Sequence, residues 1–133
     1  MAKRRSGAAY SKWPGGFLAL PKVVLEHEDF RTLSPNGFKV LLVLGAQYNG
    51  KNNGDLSATS KVMEAWGGIS HTTLAKALKE LQDRRLICKT RDNQYGRAGA
   101  RCALYAITWQ PIDPCDGKLD VADTDMPPRK WRA

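Results

Sequence analysis

Residues 69–82 read ISHTTLAKALKELQ and carry the clearest helical pattern in the chain. Ser70 suits the N-cap position, because its hydroxyl can accept a hydrogen bond from one of the unpaired backbone N–H groups that begin a helix. Leu74, Leu78 and Leu81 recur at offsets of four and three, which places them on one apolar stripe. The spacing therefore predicts a helix that starts after Ser70 and buries its leucines.

The opposite side of this helix is polar. At about 100° per residue, the residues turned away from the leucines are Thr72, Thr73, Lys76, Lys79, Glu80 and Asp83, with His71 near the boundary. Short hydroxyl groups and lysines thus gather toward the N-terminal half. An amphipathic helix of this kind most often serves only to pack a core. The neighbouring segments are therefore needed to choose between a structural and a functional interpretation.

A second, shorter helix is predicted just upstream, over Ser57 to Trp66, with Val62, Met63 and Trp66 on its buried side. Gly67-Gly68 can supply a sharp turn between the two helices. This order of helix, glycine turn and helix is the helix-turn-helix arrangement, whose second helix enters the major groove of DNA.

Two strand-like segments follow the helix pair. Leu86 to Arg91 and Arg101 to Trp109 are predicted strands, and Asp92 to Ala100 is predicted to be the loop between them. Together they would form a β-hairpin wing whose tip, residues 93–99, suits contact with a phosphate backbone or a minor groove. A solvated hairpin tip explains the same residues. The residues expected on one face of the second strand are Ala103, Tyr105, Ile107 and Trp109.

The segments before the helix pair predict a strand, a short helix and a long core helix, and the signal for the long helix is the strongest. Phe17 to Leu20 is predicted to be a third strand, and Pro21 to begin a short helix that ends near His27. Ser34-Pro35 is a strong start for a long core helix that ends at Asn49-Gly50. The residues expected at helical spacing in this core helix are Phe38, Leu41, Leu42, Gly45 and Tyr48.

Residues 51–55, Lys-Asn-Asn-Gly-Asp, have the composition of a turn, because Asn and Gly tolerate positive φ. A phosphate-cradling loop is the functional alternative. The segment lacks the Gly-Lys-Ser/Thr ending of a nucleotide-binding loop, so we favour a structural turn.

The composition fits one domain with a strongly basic balance. The chain has 133 residues, a formal charge of +8 and a pI near 9.6, which favour a polyanionic partner, either nucleic acid or an anionic membrane surface. Residues 69–101 hold eight basic residues against three acidic ones, whereas residues 21–68 are neutral. We predict a basic flexible arm over residues 1–16, a folded domain over 17–110 and an extended Pro-rich tail over 111–133.

Other classes of protein receive little support. No apolar run approaches the roughly 18 residues of a membrane span, and the N-terminus lacks the apolar core of a signal peptide, so we expect a soluble cytoplasmic protein without membrane contact. Three unpaired cysteines are expected to be structural thiols. Two histidines without ligand spacing predict no metal site, and no cofactor is expected. Neither a nucleophile elbow nor a dinucleotide fingerprint is found, so we predict that the chain is not an enzyme.

Several of these segments carry a resemblance to a known family. They are Leu20-Pro21, residues 33–35, residues 48–57, Ile69-Ser70 with the helix that follows, and the strand at 105–109. On these residues, the chain from about Phe17 to Trp109 resembles a family of winged helix-turn-helix proteins from bacteria, prophages and plasmids. The resemblance implies an α+β winged helix-turn-helix with three main helices and a small antiparallel sheet. One residue departs from the family pattern: Arg85 stands where glycine usually precedes the Leu-Ile strand start.

Pattern and resemblance together predict a sequence-specific double-stranded DNA-binding protein, either a transcriptional regulator or a replication-associated protein of bacterial or mobile-element origin. Thr72 and Thr73 would contact thymine methyls and Lys76 guanine, while His71 and Lys79 would meet phosphate. A homodimer or a second module is expected, because one helix reads only a few base pairs. The predicted DNA-binding residues are Ser70, His71, Thr72, Thr73, Lys76, Lys79, Arg84, Arg91, Arg97, Arg101, Lys3, Arg4 and Arg5.

The alternative is a winged-helix protein-interaction module, for example a phage-encoded inhibitor of a host nucleoprotein complex. Thr72, Thr73 and Lys76 separate the two hypotheses. If the partner is DNA, alanine at these positions removes sequence discrimination; if the partner is a protein, no selected duplex binds better than the nonspecific range of about 10⁻⁴ to 10⁻⁶ M.

Overall fold

The computed structural model describes residues 13–97 and 99–132. Over this part of the chain the architecture is α+β, as predicted. The helices are α1 (Lys22–Leu25), α2 (Glu28–Arg31), α3 (Pro35–Gln47), α4 (Ser60–Glu64) and α5 (His71–Asp83). The strands are β1 (Ile87–Arg91), β2 (Gln94–Gly96), β3 (Gly99–Arg101) and β4 (Leu104–Ile107), and a 3₁₀ turn follows at Cys115–Gly117. Residues 1–12 of the predicted arm, with Lys3, Arg4 and Arg5, lie outside the described residues.

The start of α3 is as predicted, and its end is not. The Ser34 side chain accepts from Gly37 N at 3.0 Å, and Pro35 occupies the first helical position. The helix ends at Gln47, before the predicted Asn49-Gly50, because the backbone becomes extended at Tyr48; the Asn52 side chain donates to Gln47 O at 2.8 Å. A loop amide thus takes the place of the predicted glycine cap.

The buried side of α3 also differs from the prediction at one position. Leu42 is 47% exposed, whereas Leu41 is 2% exposed and both Val40 and Leu44 are fully buried. A turn of about 100° per residue carries Leu42 off the stripe that its neighbours form. The prediction that Leu42 belongs to the core, which rested on its being a leucine, is therefore wrong.

The short helix α4 begins later than predicted. Thr59 is its N-cap and accepts from Val62 N at 3.1 Å. Leu56 instead forms an antiparallel bridge with Tyr105, which keeps the chain just before α4 extended. Met63 is fully buried, but Trp66 is 43% exposed, so its predicted core position is wrong. Gly67-Gly68 makes the turn to α5, with φ of +91° and +77°.

Helix α5 agrees with the sequence prediction. Ser70 is the N-cap and its side chain accepts from Thr73 N at 3.1 Å. Leu74, Ala77 and Leu81 are buried, and they form part of the same core as the buried residues of α3. The helix begins and buries its stripe where the pattern places both.

Strands β1 and β4 form an antiparallel pair in which Ile87 faces Ile107 and Lys89 faces Tyr105. All four residues of β4 are buried, including Leu104 and Ala106, which the predicted alternation placed on the other face. Both faces of this strand are therefore covered by protein, and a strand of that kind loses the alternating polar pattern of a half-exposed sheet.

The predicted loop Asp92 to Ala100 contains two further strands. β2 and β3 pair antiparallel, with Tyr95 opposite Ala100 and Gly96 opposite Gly99. The predicted third strand at Phe17 to Leu20 is absent. There the Ala19 carbonyl accepts from Trp109 Nε1 at 3.0 Å, so a side chain and not a strand partner satisfies this backbone group.

The C-terminal segment lies against the rest of the protein. Asp120 N donates to Thr90 O at 2.8 Å, and Trp131 Nε1 donates to Thr108 O at 3.3 Å. Trp131 also packs against the core. The domain boundary at residue 110 stays a prediction, and the contacts of residues 120 and 131 cross it.

Two further observations concern the described residues. None of their helices has the length and apolar character needed to cross a bilayer. Cys88, Cys102 and Cys115 are all free thiols and half-buried.

Candidate functional site

The outward side of α5 is an open polar surface that the sequence singled out. We call it the outer face of α5 and define it by His71, Thr72, Ala75, Lys76 and Lys79, all of which are exposed. It exists because the opposite side of the helix packs into the core. No other described segment covers these five side chains.

Ser70 and Thr73 occupy the first turn but serve the helix itself. Ser70 Oγ accepts from Thr73 N and donates to Thr73 Oγ1 at 2.7 Å. Thr73 is half-buried. Both hydroxyls are thus engaged in the cap, which sets where the outer face begins, and the assignment of these two residues to DNA contact stays a prediction.

The two lysines of the outer face differ in their surroundings. Lys79 Nζ lies 2.8 Å from Asp83 Oδ2 in an exposed pair. Such surface pairs contribute about 0 to 1 kcal/mol, so an external anion can replace Asp83 at small cost. Lys76 has no carboxylate within salt-bridge distance among residues 13–97 and 99–132. Its ammonium group is therefore available to an outside acceptor.

Two predicted DNA-binding arginines are held by the protein. Arg91 is 8% exposed, and its Nη2 donates to Cys102 O at 2.7 Å. Arg84 donates to Asp29 O at 3.1 Å and to Thr32 Oγ1. Both guanidinium groups bind internal acceptors, which gives each arginine a role in the fold, and their assignment to DNA contact stays a prediction. Sequence charge alone could not separate them from exposed arginines.

The β2–β3 hairpin presents the remaining predicted residues. All its strand residues are exposed, and Tyr95 is 82% exposed. Arg97 and Arg101 are both exposed. The hairpin base is fixed by Asn93 Oδ1, which accepts from Ala103 N at 3.0 Å. The hairpin therefore offers an aromatic ring and two cations on a surface that the described chain leaves open.

A groove of about 420 Å³ separates α5 from this hairpin, and we call it the α5–hairpin groove. It is lined by apolar residues such as Leu74, Leu78 and Ala103, and by His71, Lys79, Lys89 and Tyr95 among its polar and aromatic residues. Outer-face residues of α5 and hairpin residues thus border one continuous depression.

Two titratable residues that line the groove have shifted pKa values. The hydrogen bond from Lys89 Nζ to Asp92 Oδ1, 2.8 Å long, raises the pKa of Lys89. Burial raises the pKa of Tyr105, against a smaller opposing effect of the nearby Lys89 charge. Lys89 is therefore a cation and Tyr105 a neutral phenol at neutral pH.

Three residues of this region were missed by the sequence interpretation. Ala75 lies on the outer face of α5, and its position could have been found from the same helical spacing that placed Thr72 and Lys76. Gln82 and Lys89 line the groove. Their inclusion depends on how β1 lies beside α5, for which the sequence carries no local signal.

The described residues contain no group of three or more His, Cys, Asp or Glu side chains that could hold a metal ion. In the comparisons with known proteins, no family model, no curated protein and no solved structure matches the chain. The resemblance to winged helix-turn-helix proteins therefore stays an expectation from the sequence.

Proposed function

We propose that this chain is a winged helix-turn-helix protein that binds double-stranded DNA in a sequence-specific manner through the outer face of α5. The observation that carries the proposal is the exposure of Thr72, Ala75, Lys76 and Lys79 on a helix whose other side is buried. The order of elements supports it: a short helix, a glycine turn, a capped amphipathic helix and then an antiparallel hairpin.

The dimensions and chemistry of α5 fit a major groove. A helix with side chains is about 10 to 12 Å across, and the major groove of B-DNA is about 12 Å wide. Lys76 would donate to guanine O6 and N7. The methyl groups of Thr72 and Ala75 would contact the thymine methyl, and each good base contact contributes about 1 to 3 kcal/mol of discrimination.

Phosphate contacts would come from the cations around this face. Lys79 and Lys89 border the α5–hairpin groove, and Arg97 and Arg101 lie on the hairpin. Four such contacts would give a dependence of log K on log salt of about −4, and arm residues Lys3, Arg4 and Arg5 would steepen it. The hairpin would follow the backbone or enter the neighbouring minor groove.

The biological role is proposed on the same basis. A DNA-binding module of this size would act in transcription or replication, in a bacterium or a mobile element, as the sequence resemblance suggests. One helix reads only a few base pairs, so we propose that a homodimer or a second module completes the site.

Selection from a random duplex library tests the proposal, followed by titration of the enriched duplex at about 50 and 200 mM salt. We expect an enriched motif. Thr72→Ala and Lys76→Ala should reduce the preference for this motif over a scrambled duplex by about tenfold each. Lys51→Ala, which removes an exposed lysine outside α5 and the hairpin, is the matched control and should leave that preference unchanged.

Absence of enrichment, with only nonspecific binding near about 10⁻⁴ to 10⁻⁶ M, would contradict the proposal. That result would instead favour a protein partner for the outer face of α5.

A further inference from the structure

The corner between α5 and β1 has an unusual backbone. Arg85 has φ of +58°, the left-handed region in which a side chain is disfavoured and glycine is not. Its carbonyl accepts from Thr108 Oγ1 at 2.8 Å, so the conformation is fixed by the adjoining strand end. An arginine is therefore kept at a position where glycine would be easier to accommodate.

The Arg85 side chain borders a pocket of about 280 Å³, which we call the corner pocket. Lys89 and Arg129 line it too, so three basic residues border the pocket, accompanied by Gln82 as a neutral hydrogen-bonding residue. Gln82 and Lys89 also border the α5–hairpin groove. The corner pocket is thus the continuation of that groove past the end of α5.

Two of the three cations already have carboxylate partners. Lys89 pairs with Asp92 at 2.8 Å, and Arg129 pairs with Asp29 at 2.9 Å. For Arg85, no carboxylate lies within salt-bridge distance in the described ranges 13–97 and 99–132. Arg85 is an exposed residue, and its guanidinium carries five donors in a fork that matches phosphate oxygens.

We propose that the corner pocket binds one phosphate of the DNA backbone and that Arg85 is its principal ligand. The inference rests on the proposed function: the backbone strand beside the outer face of α5 would follow the α5–hairpin groove and reach the corner. Gln82 borders the phosphate position, and Lys89 lines both the α5–hairpin groove and the corner pocket. The charge of Arg85 at this place explains why the disfavoured backbone conformation is retained.

Arg85→Gly should change stability and binding in opposite directions, because it removes the positive charge and also removes the backbone strain at this position. A loss of affinity in a more stable protein does not come from unfolding. We expect a melting temperature about 3 °C higher. The affinity for the enriched duplex should fall about five- to tenfold, and the salt dependence should become shallower by about 0.9. Arg31→Ala, at an exposed arginine of α2, is the matched control and should change neither binding quantity.

Equal affinity and equal salt dependence for Arg85→Gly and wild type would overturn the inference while leaving the proposed function intact. A wild-type protein that enriches no duplex would remove the proposed function instead.

The pocket is then tested by titrating inorganic phosphate and following the amide resonances of Gln82, Arg85 and Thr108. Shifts in the wild type that are lost in Arg85→Gly support an anion site at the corner. Shifts that are absent, or equal in both proteins, overturn it.

Discussion

The Asn53 side chain pairs with both backbone groups of Ile107. Ile107 N donates to Asn53 Oδ1 at 2.9 Å, and Asn53 Nδ2 donates to Ile107 O at 3.0 Å. Nδ2 also lies within hydrogen-bond distance of Gln110 O and Pro111 O. One fully buried amide thus substitutes for a neighbouring strand at the end of β4. The Asn- and Gly-rich segment at residues 51–55 is thus hydrogen-bonded to the end of β4, in agreement with the predicted structural turn.

Asn53→Ala should lower the free energy of unfolding by about 3 to 5 kcal/mol, because it leaves several buried backbone groups without partners. Chemical denaturation measures the change. Asn36→Ala, at an exposed residue of α3, is the control and should cost under about 0.5 kcal/mol. A loss below about 1 kcal/mol for Asn53→Ala would show that water replaces the amide without penalty.

Glu80 joins α5 to the start of α3. Its carboxylate accepts from Ser34 N at 3.1 Å and from Ser34 Oγ at 2.7 Å. We expect Glu80→Ala to lower the free energy of unfolding by about 1.5 to 3 kcal/mol, because these are hydrogen bonds to a charged group. Lys79→Ala removes a neighbouring surface pair and should cost about 0.5 kcal/mol or less in the same measurement. Similar costs for both variants would contradict the assignment.

Alanine substitution should affect different properties at Arg91 and at Arg97: stability at Arg91 and duplex binding at Arg97. Arg91→Ala removes a buried guanidinium that bonds to Cys102 O, so we expect a loss of about 2 kcal/mol in the free energy of unfolding. Arg97 is exposed on the hairpin, and Arg97→Ala should leave stability unchanged. On the proposed function, Arg97→Ala should weaken duplex binding about fivefold and reduce its salt dependence. The reverse pattern would favour Arg91 as a DNA contact.

Stability should decline in alkaline solution, with Tyr105 contributing to the decline. Burial raises the pKa of Tyr105 above its ordinary value of 10.0. The unfolded chain therefore loses the phenolic proton first as the pH rises. The stabilisation is complete below about pH 10 and is lost as the pH rises toward the folded-state pKa. Lys89, whose pKa is also raised, loses its contribution in the same direction.

Tyr105→Phe should therefore flatten the profile of unfolding free energy against pH above about 10. Denaturation series at several alkaline pH values measure this slope. Tyr95→Phe, at an exposed position, controls for the loss of a hydroxyl group. If Tyr105→Phe keeps the slope of the wild type, the alkaline decline has another origin.

The elements with local signals were predictable from the sequence. The caps at Ser34 and Ser70 and the leucine spacing of α5 act within one or two helical turns, and the structure has them in place. The outer face of α5 follows from the same spacing. These features depend on neighbours in the sequence, so the sequence alone carries them.

The remaining features depend on contacts between distant residues. The bridge from Leu56 to Tyr105 delays α4, and the acceptor for Arg91 is a carbonyl eleven residues away. Leu42 and Trp66 are apolar, yet they remain exposed because of how their helices are turned toward the core. The charge and hydropathy of a residue do not tell which distant residues it contacts. The predicted site therefore included Arg84 and Arg91, which bind acceptors within the fold.

The hairpin and the strands from which it projects are attached to the protein very differently. β4 is buried throughout, whereas every residue of β2 and β3 is exposed. Substitutions in the hairpin therefore leave the core untouched, while substitutions in β4 do not. If the proposed function holds and descendants of this protein acquire new targets, we expect their sequences to diverge first at residues 94–101, with β4 held constant by selection for folding.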